Sequence, residues 1–208
     1  MTERTRLRRI PEKAVTDLSV LHAILDATRV AHVGFVHNGH PVTIAMASAR
    51  DGDRLLVHGS TGSRLIRTLA AGAEVCAAVT LLDAMVLARS AFESSMHYRS
   101  VMIFGTPRAV TDKEAALHAM SEAWMPGRWE TLRPPNAKEL AATLVLELAL
   151  DEWSVKVSDS DPDDPEEDLD EPVWAGVLPI VTSFGLPVPA PDLRGNPQLP
   201  AYLADWTP

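Results

Sequence analysis

Cysteine is nearly absent: Cys76 is the only one in 208 residues. That excludes an internal disulfide framework and suits a reducing compartment. Long apolar runs are also missing. The most apolar stretch, residues 75–88, is interrupted by Asp83 and is too short to span a bilayer. The N-terminal residues 1–9 carry charge with no apolar segment behind them, so they do not read as a secretory signal. No internal repeat is visible. These absences predict a cytoplasmic protein with no membrane partner.

Basic residues are absent between Asp159 and Glu171, where nine of the 28 acidic residues lie. The remaining 19 acids match the 19 bases, so the net charge of −9 belongs to one segment and the rest of the chain is neutral. An acidic run interrupted by Pro162 and Pro165 reads as a solvated loop. Arg4, Arg6, Arg8, Arg9 and Lys13 form a short basic arm that lies on the body or meets the acidic loop. Five bases beside a neutral body are a small electrostatic footprint, and no nucleic-acid partner is expected. With 46% hydrophobic residues the chain can build a core. We expect one domain over 1–208, with a basic arm at 1–16, an acidic loop at 158–172 and a proline-rich segment at 173–208.

Asp17 can cap a helix over 18–28 with Leu18, Leu21, Ile24 and Leu25 on one face. Residues 29–37 and 41–48 read as strands joined by Asn38-Gly39, a strong two-residue hairpin signal. Asp51-Gly52-Asp53 turns the chain into a third strand, 54–58. A short helix over 63–71 stops at Gly72. Two further β stretches cover 74–89 and 99–110. Asp112 opens a helix to about Trp124, ended by Pro126-Gly127. Strands at 143–150 and 153–157 follow, and 174–208 reads as irregular. About six strands with few helices argue for a small closed barrel.

The stretch most specific for chemistry is Leu55-Leu-Val-His58-Gly59-Ser60-Thr61-Gly62-Ser63-Arg64-Leu-Ile-Arg67. A strand runs into a glycine-rich loop, a helix start and two arginines. Glycines let the backbone approach an anion, the first helical turn offers free N–H groups, and Arg64 can grip a phosphate through two N–H bonds. The Gly-Lys-Ser/Thr element of nucleoside-triphosphate loops is missing. Residues 88–105 place polar and aromatic groups between two apolar strands. Pro126-Gly127-Arg128-Trp129 and Arg133-Pro134-Pro135 look like a fixed connector.

Taken with Arg9-Ile-Pro11, His32-Val-Gly-Phe-Val36, Val86-Leu-Ala-Arg-Ser90, Tyr98-Arg-Ser-Val101 and Trp174-Ala-Gly176, these fragments are ordered and spaced as in a known family. The chain resembles the pyridoxamine-5′-phosphate-oxidase-like, flavin-nucleotide-binding split-barrel family, in the branch close to nitroimidazole-resistance proteins. The resemblance implies a mainly β fold, a split β-barrel forming a tight homodimer with FMN in grooves at the interface. It implies that Ser63 and Arg64 grip the flavin phosphate and that Thr43, Ile44, Ala45 and Met46 line the ring. Tyr98, Arg99 and Ser100 complete the site, and His58 lies near the flavin. The chain departs from the family pattern at Ala45, Ser48, Ala84, Glu93, Ser94 and His97, which alters the reaction more than the fold.

His32, His37 and His40 flank a turn and read as exposed groups, since metal ligands must converge on one point. His22 and His118 read as surface groups on helices, and no metal is expected. His58 is the one histidine read as functional, in a catalytic role. Cys76 reads as a buried thiol. Trp124, Trp129, Trp153 and Trp206 read as packing residues, and Trp174 as the one able to cover a flavin. The leading expectation is an FMN-dependent oxidoreductase acting on an unidentified small molecule. The alternatives are a flavin or haem carrier or sensor without catalysis, and a reductase using a deazaflavin.

Overall fold

The computed structural model describes residues 2–195 and 197–204, so Trp206 lies outside the described residues. After a two-residue strand β1 (Ala14–Val15), the Asp17 carboxylate accepts the Ser19 N–H at 2.8 Å and opens α1 (Leu18–Asp26). Leu21, Ile24 and Leu25 of α1 point into the core. β2 (Val30–His37) and β3 (His40–Asp51) form the expected hairpin. The φ angles of Asn38 and Gly39, 51° and 77°, are the left-handed pair that such a turn requires. β4 (Arg54–Ser60) returns along β3 and leads through Ser63 into α2 (Arg64–Ala70). β5 (Val75–Leu87), β6 (Ser95–Gly105) and the short β7 (Arg108–Ala109) precede α3 (Lys113–Trp124). Then follow α4 (Ala137–Ala142), β8 (Thr143–Ala149), β9 (Glu152–Ser158), β10 (Gly176–Pro179) and α5 (Ala201–Ala204).

The strands run antiparallel in the order β1-β9-β6-β5-β2-β3-β4-β8-β7, with β10 added to β5. This is a mainly β split barrel, as expected. Its interior takes alternate residues, among them Val33 and Phe35 of β2, Leu55 and Val57 of β4, and Val101 and Ile103 of β6. A second, smaller cluster lies outside the wall, where Ala49, Leu56 and Val145 meet Ala116 and Met120 of α3. β4 is therefore apolar on both faces at 55–57, which explains its continuous Leu-Leu-Val run.

Several boundaries differ from the sequence reading. β6 begins at Ser95 rather than 99, because it stays paired with β5 out to Val86. The strand expected to run to 110 stops at Gly105 and resumes as β7. The proline-rich segment contributes β10, held by four register partners on β5. The acidic loop is docked rather than free. The Asp164 carboxylate, 1% exposed, takes the Arg89 backbone N–H at 2.8 Å and its guanidinium at 3.0 Å. His97 Nε2 lies 2.8 Å from the Ser160 carbonyl. The basic arm lies on the barrel, where Arg4 pairs with Glu74 and Glu152. No helix among the described residues is long and apolar enough to cross a membrane.

Candidate functional site

The barrel opens where β3 and β4 part. Their ladder covers only Ser48–Asp51 against Val57–Arg54 and stops there. Beyond it, β3 keeps β2 as a ladder neighbour and β4 keeps β8. In an antiparallel pair, alternate residues direct their N–H and C=O away from the partner. Alternate residues of β3 from Pro41 to Ala47 thus turn backbone donors and acceptors into the split, and His58, Gly59 and Ser60 stand on its other side. The two stretches singled out in the sequence flank one opening.

Side-chain parity separates the β3 residues. Thr43 and Ala45 are exposed on the outer face, whereas Met46 is buried and Ile44 packs against the core. Ile44 and Met46 can meet a ligand in the split only through their backbone.

The glycine-rich loop is largely occupied with itself. Thr61 gives both its N–H and its hydroxyl to the Ala142 carbonyl, at 2.9 and 3.2 Å. Ser60 Oγ accepts the Gly62 N–H at 3.1 Å, and Ser63 Oγ accepts the Ile66 N–H at 3.4 Å. Ser60 and Ser63 each keep a hydroxyl proton to donate; Thr61 does not. A Cβ at Gly59 would meet Ile66 of α2 at 3.4 Å, an ordinary contact, so packing does not require glycine there. α2 is shorter than two turns, so its dipole adds little, and the anion-binding capacity rests on Arg64. Arg64 is exposed, with no ion pair among the described residues.

His58 alternates with Val57 and so faces outward, beneath the end of α3. Its ring centroid is 5.8 Å from that of Trp124, whose Nε1–H is fixed by the Ser48 carbonyl at 2.8 Å. Burial pushes the His58 imidazole below its ordinary value, which favours the neutral form. His58 lies in the wall of a cavity of about 490 Å³ built from Met120, Trp124, Met125, Trp129 and Leu132, with Arg133 and Glu139 among its polar groups. The sequence reading missed Trp124 and Trp129 here by treating them as packing. The Pro126-Gly-Arg-Trp and Arg133-Pro-Pro fragments were the signal, because they hold that wall in place. Glu122 accepts the N–H groups of Gly127 and Trp129, at 2.8 and 3.3 Å.

The other expected site residues lie elsewhere. Tyr98 and Ser100 alternate with buried residues of β6 and share the barrel's outer face with Met102. Arg99 points the other way and is held by both oxygens of Asp83, at 2.7 and 2.9 Å. Arg99 holds the Asp83 carboxyl below the usual range. Trp174, 69% exposed, folds onto the start of β10: a Cβ on Gly176 would come within 2.7 Å of the indole. His40 is exposed at the turn, but His32 is exposed in the middle of β2, opposite Ala45, and His37, expected to be exposed, is half-buried with Nδ1 3.4 Å from Thr68 Oγ1. His118 is exposed on α3, while His22 is half-buried with Nε2 3.3 Å from Asp53. Cys76 is half-buried, and burial pushes its thiol up.

Comparison with known proteins agrees with this geometry. The pyridoxamine 5′-phosphate oxidase family model matches residues 17–157. The FAD and haem binding protein from Mycobacterium smegmatis is 44% identical, with 94% of this chain and 97% of that one covered at a TM-score of 0.91. The flavocytochrome Anf3 from Azotobacter vinelandii is 39% identical over 98% of this chain and 96% of its own, at 0.92. A protein described as a 5-nitroimidazole antibiotic resistance protein from Bacteroides thetaiotaomicron shares the fold, with 20% identity, 69% and 86% coverage and a TM-score of 0.57. No curated protein matches the sequence. The barrel, its split and the order of its motifs place the chain in the pyridoxamine 5′-phosphate oxidase family, to which it belongs.

Proposed function

We propose that the protein is a redox protein that holds a flavin along the split and a haem in the His58 cavity. The observation that carries the reading is His58 itself, a half-buried imidazole in an apolar, aromatic-walled cavity whose burial disfavours the charged form. Neutral imidazole is a common iron ligand, and an apolar pocket with few polar groups suits a flat macrocycle. Two relatives that match nearly the whole chain are named for FAD and haem and as a flavocytochrome, which supports the same pairing. The flavin of this reading is FAD rather than the FMN implied by the family resemblance. A flavin handles electron pairs and a haem single electrons, so a chain holding both can join a two-electron donor to one-electron acceptors.

The chain's own residues divide the work. Arg64, with Ser63, binds the flavin phosphates through charge-assisted hydrogen bonds. Thr43 to Met46 would hold the ring through their backbone groups, with the exposed side chains of Thr43 and Ala45 beside it. His58 serves as the iron ligand, which replaces its expected catalytic role. Trp124 and Trp129 exclude water from the cavity. Tyr98 and Ser100 approach the flavin from the second subunit of a homodimer built on the exposed β-face, while Arg99 stays with Asp83. Trp174 caps this region from the tip of the β5–β6 hairpin.

The test is the visible spectrum of the purified protein, taken as isolated and after addition of FAD and hemin. Both a two-band flavin spectrum and a Soret band should appear, and mass spectrometry of the released flavin should give FAD. His58→Ala should abolish the Soret band and keep the flavin bands. A haem spectrum unchanged in His58→Ala would overturn the assignment of the cavity. A deazaflavin would be recognised by its mass.

A further inference from the structure

The family match ends at residue 157, yet the chain beyond it returns to the cavity. From Ile180, whose N–H is held by the Asp83 carbonyl at 2.8 Å, the chain carries no helix or strand over the described residues 181–195 and 197–200 that lead to α5. It touches the cavity's surroundings twice. Phe184 lies under the Arg29 guanidinium, 5.3 Å from ring centroid to Cζ, and lines a shelf with Ala47, Trp124 and Met125. Arg29 Nε in turn reaches the Trp124 carbonyl at 3.5 Å. Further on, the Tyr202 ring lies against Gly127, 3.7 Å from where a Cβ would stand. Its hydroxyl accepts from Arg128 at 3.0 Å and meets Thr131 Oγ1 at 3.5 Å.

Gly127, Arg128 and Thr131 belong to the connector that supplies Trp129, Leu132 and Arg133 to the cavity wall. Apart from one 3-10 turn, Trp129–Thr131, that connector has no regular structure to stiffen it. Glu122 anchors it through the Gly127 and Trp129 N–H groups, the His118 ring lies 5.3 Å from that of Trp129, and Arg133 pairs with Glu139. From the chain beyond residue 157, Tyr202 adds its contacts to Gly127, Arg128 and Thr131. The positive φ of Gly127, 78°, is a backbone conformation that favours glycine and lets the chain bend there, beside the tyrosine ring.

We infer that Tyr202 is a positioning residue for the His58 cavity: it clamps the 127–131 connector from outside and so governs how firmly the cavity holds its occupant. The inference rests on the haem reading for the identity of that occupant, but the clamp itself does not. Tyr202 meets Gly127, Arg128 and Thr131, none of which lines the cavity, and it sits on the last described turn, where substitution removes little core. Its effect should therefore be local.

Three measurements on Tyr202→Ala and Tyr202→Phe test this, with Leu199→Ala as a control from the same segment. Transfer of hemin to excess apomyoglobin gives its release rate, titration gives FAD affinity, and amide exchange of cofactor-free protein reports on residues 127–133. Tyr202→Ala should release hemin about tenfold faster, the loss of one hydrogen bond to a charged group. FAD affinity should be unchanged, and exchange at 127–133 should accelerate. Tyr202→Phe, which keeps the ring against Gly127, should fall between; Leu199→Ala should match wild type. Unchanged hemin release in Tyr202→Ala overturns the inference, and so does faster release without faster exchange at 127–133. If wild-type protein takes up no hemin, the haem reading fails, and exchange alone decides whether Tyr202 clamps the connector.

Discussion

At the scale of single residues, Arg64 and His58 carry the most direct consequences. Arg64→Ala removes a cation proposed to meet only phosphate, so FAD and FMN affinity should fall about tenfold to a hundredfold, from about 1.5–3 kcal/mol for a charged hydrogen bond. Riboflavin, which lacks the phosphate, should bind as before in a titration. Equal losses for all three would assign Arg64 to the fold. For His58, desolvation keeps the folded-state pKa below the ordinary 6.5. As pH falls through about 6.5 the unfolded chain takes up a proton that the folded chain refuses. The stability linked to neutral His58 is thus complete above that pH and drains toward the folded pKa. Urea midpoints should drop between pH 7 and 5 more steeply in wild type than in His58→Phe; parallel curves would mean that the imidazole is solvated. Both residues were legible because a strand end, a glycine loop and a helix cap occur within ten residues. Trp124 and Trp129 were not, since they reach the same cavity from elements more than sixty residues away.

At the scale of elements, legibility followed how much of each element's cause was local. The β2–β3 hairpin needs Asn38-Gly39 and little else, and it formed as expected. The Asn136-x-x-Glu139 capping box of α4 is present in the sequence, but a six-residue helix after two prolines has too few turns to show a period. β10 was illegible for a different reason. It is a four-residue strand containing Pro179, and its cause is a partner strand about ninety residues earlier. Its geometry gives a prediction. Gly176→Ala would drive a methyl group into the Trp174 indole, and the free end of that ring can swing away. The ring should leave its present seat, with altered tryptophan emission and a stability loss on the order of 1 kcal/mol, since β10 itself stays paired. Emission identical to wild type would show that the indole does not rest on Gly176 in solution.

At the scale of the whole molecule, the outer β-face exposes Val30, Val36, Leu82 and Met102 together, a surface suited to a second copy. If each flavin is shared, Arg64 comes from one subunit and Tyr98 from the other. Arg99 is the poorer probe, because its loss would also strand Asp83. Proteins carrying Arg64→Ala or Tyr98→Ala should each bind FAD weakly, and subunit exchange between them should restore up to half the sites. Restoration of none, with dimers seen by sedimentation, would place both groups in one subunit. The parted strands matter before any cofactor arrives. A stretch of β3 with backbone groups turned toward the opening is a template for another chain's strand, the hazard that natural sheets hide with charge, proline or cover. Exposed Thr43, Ala45 and Ala47 offer neither charge nor bulk to discourage it. Newly made chains would then be safest once the opening is filled, so that soluble yield in a producing cell rises with the supply of riboflavin and is lost to inclusion bodies without it.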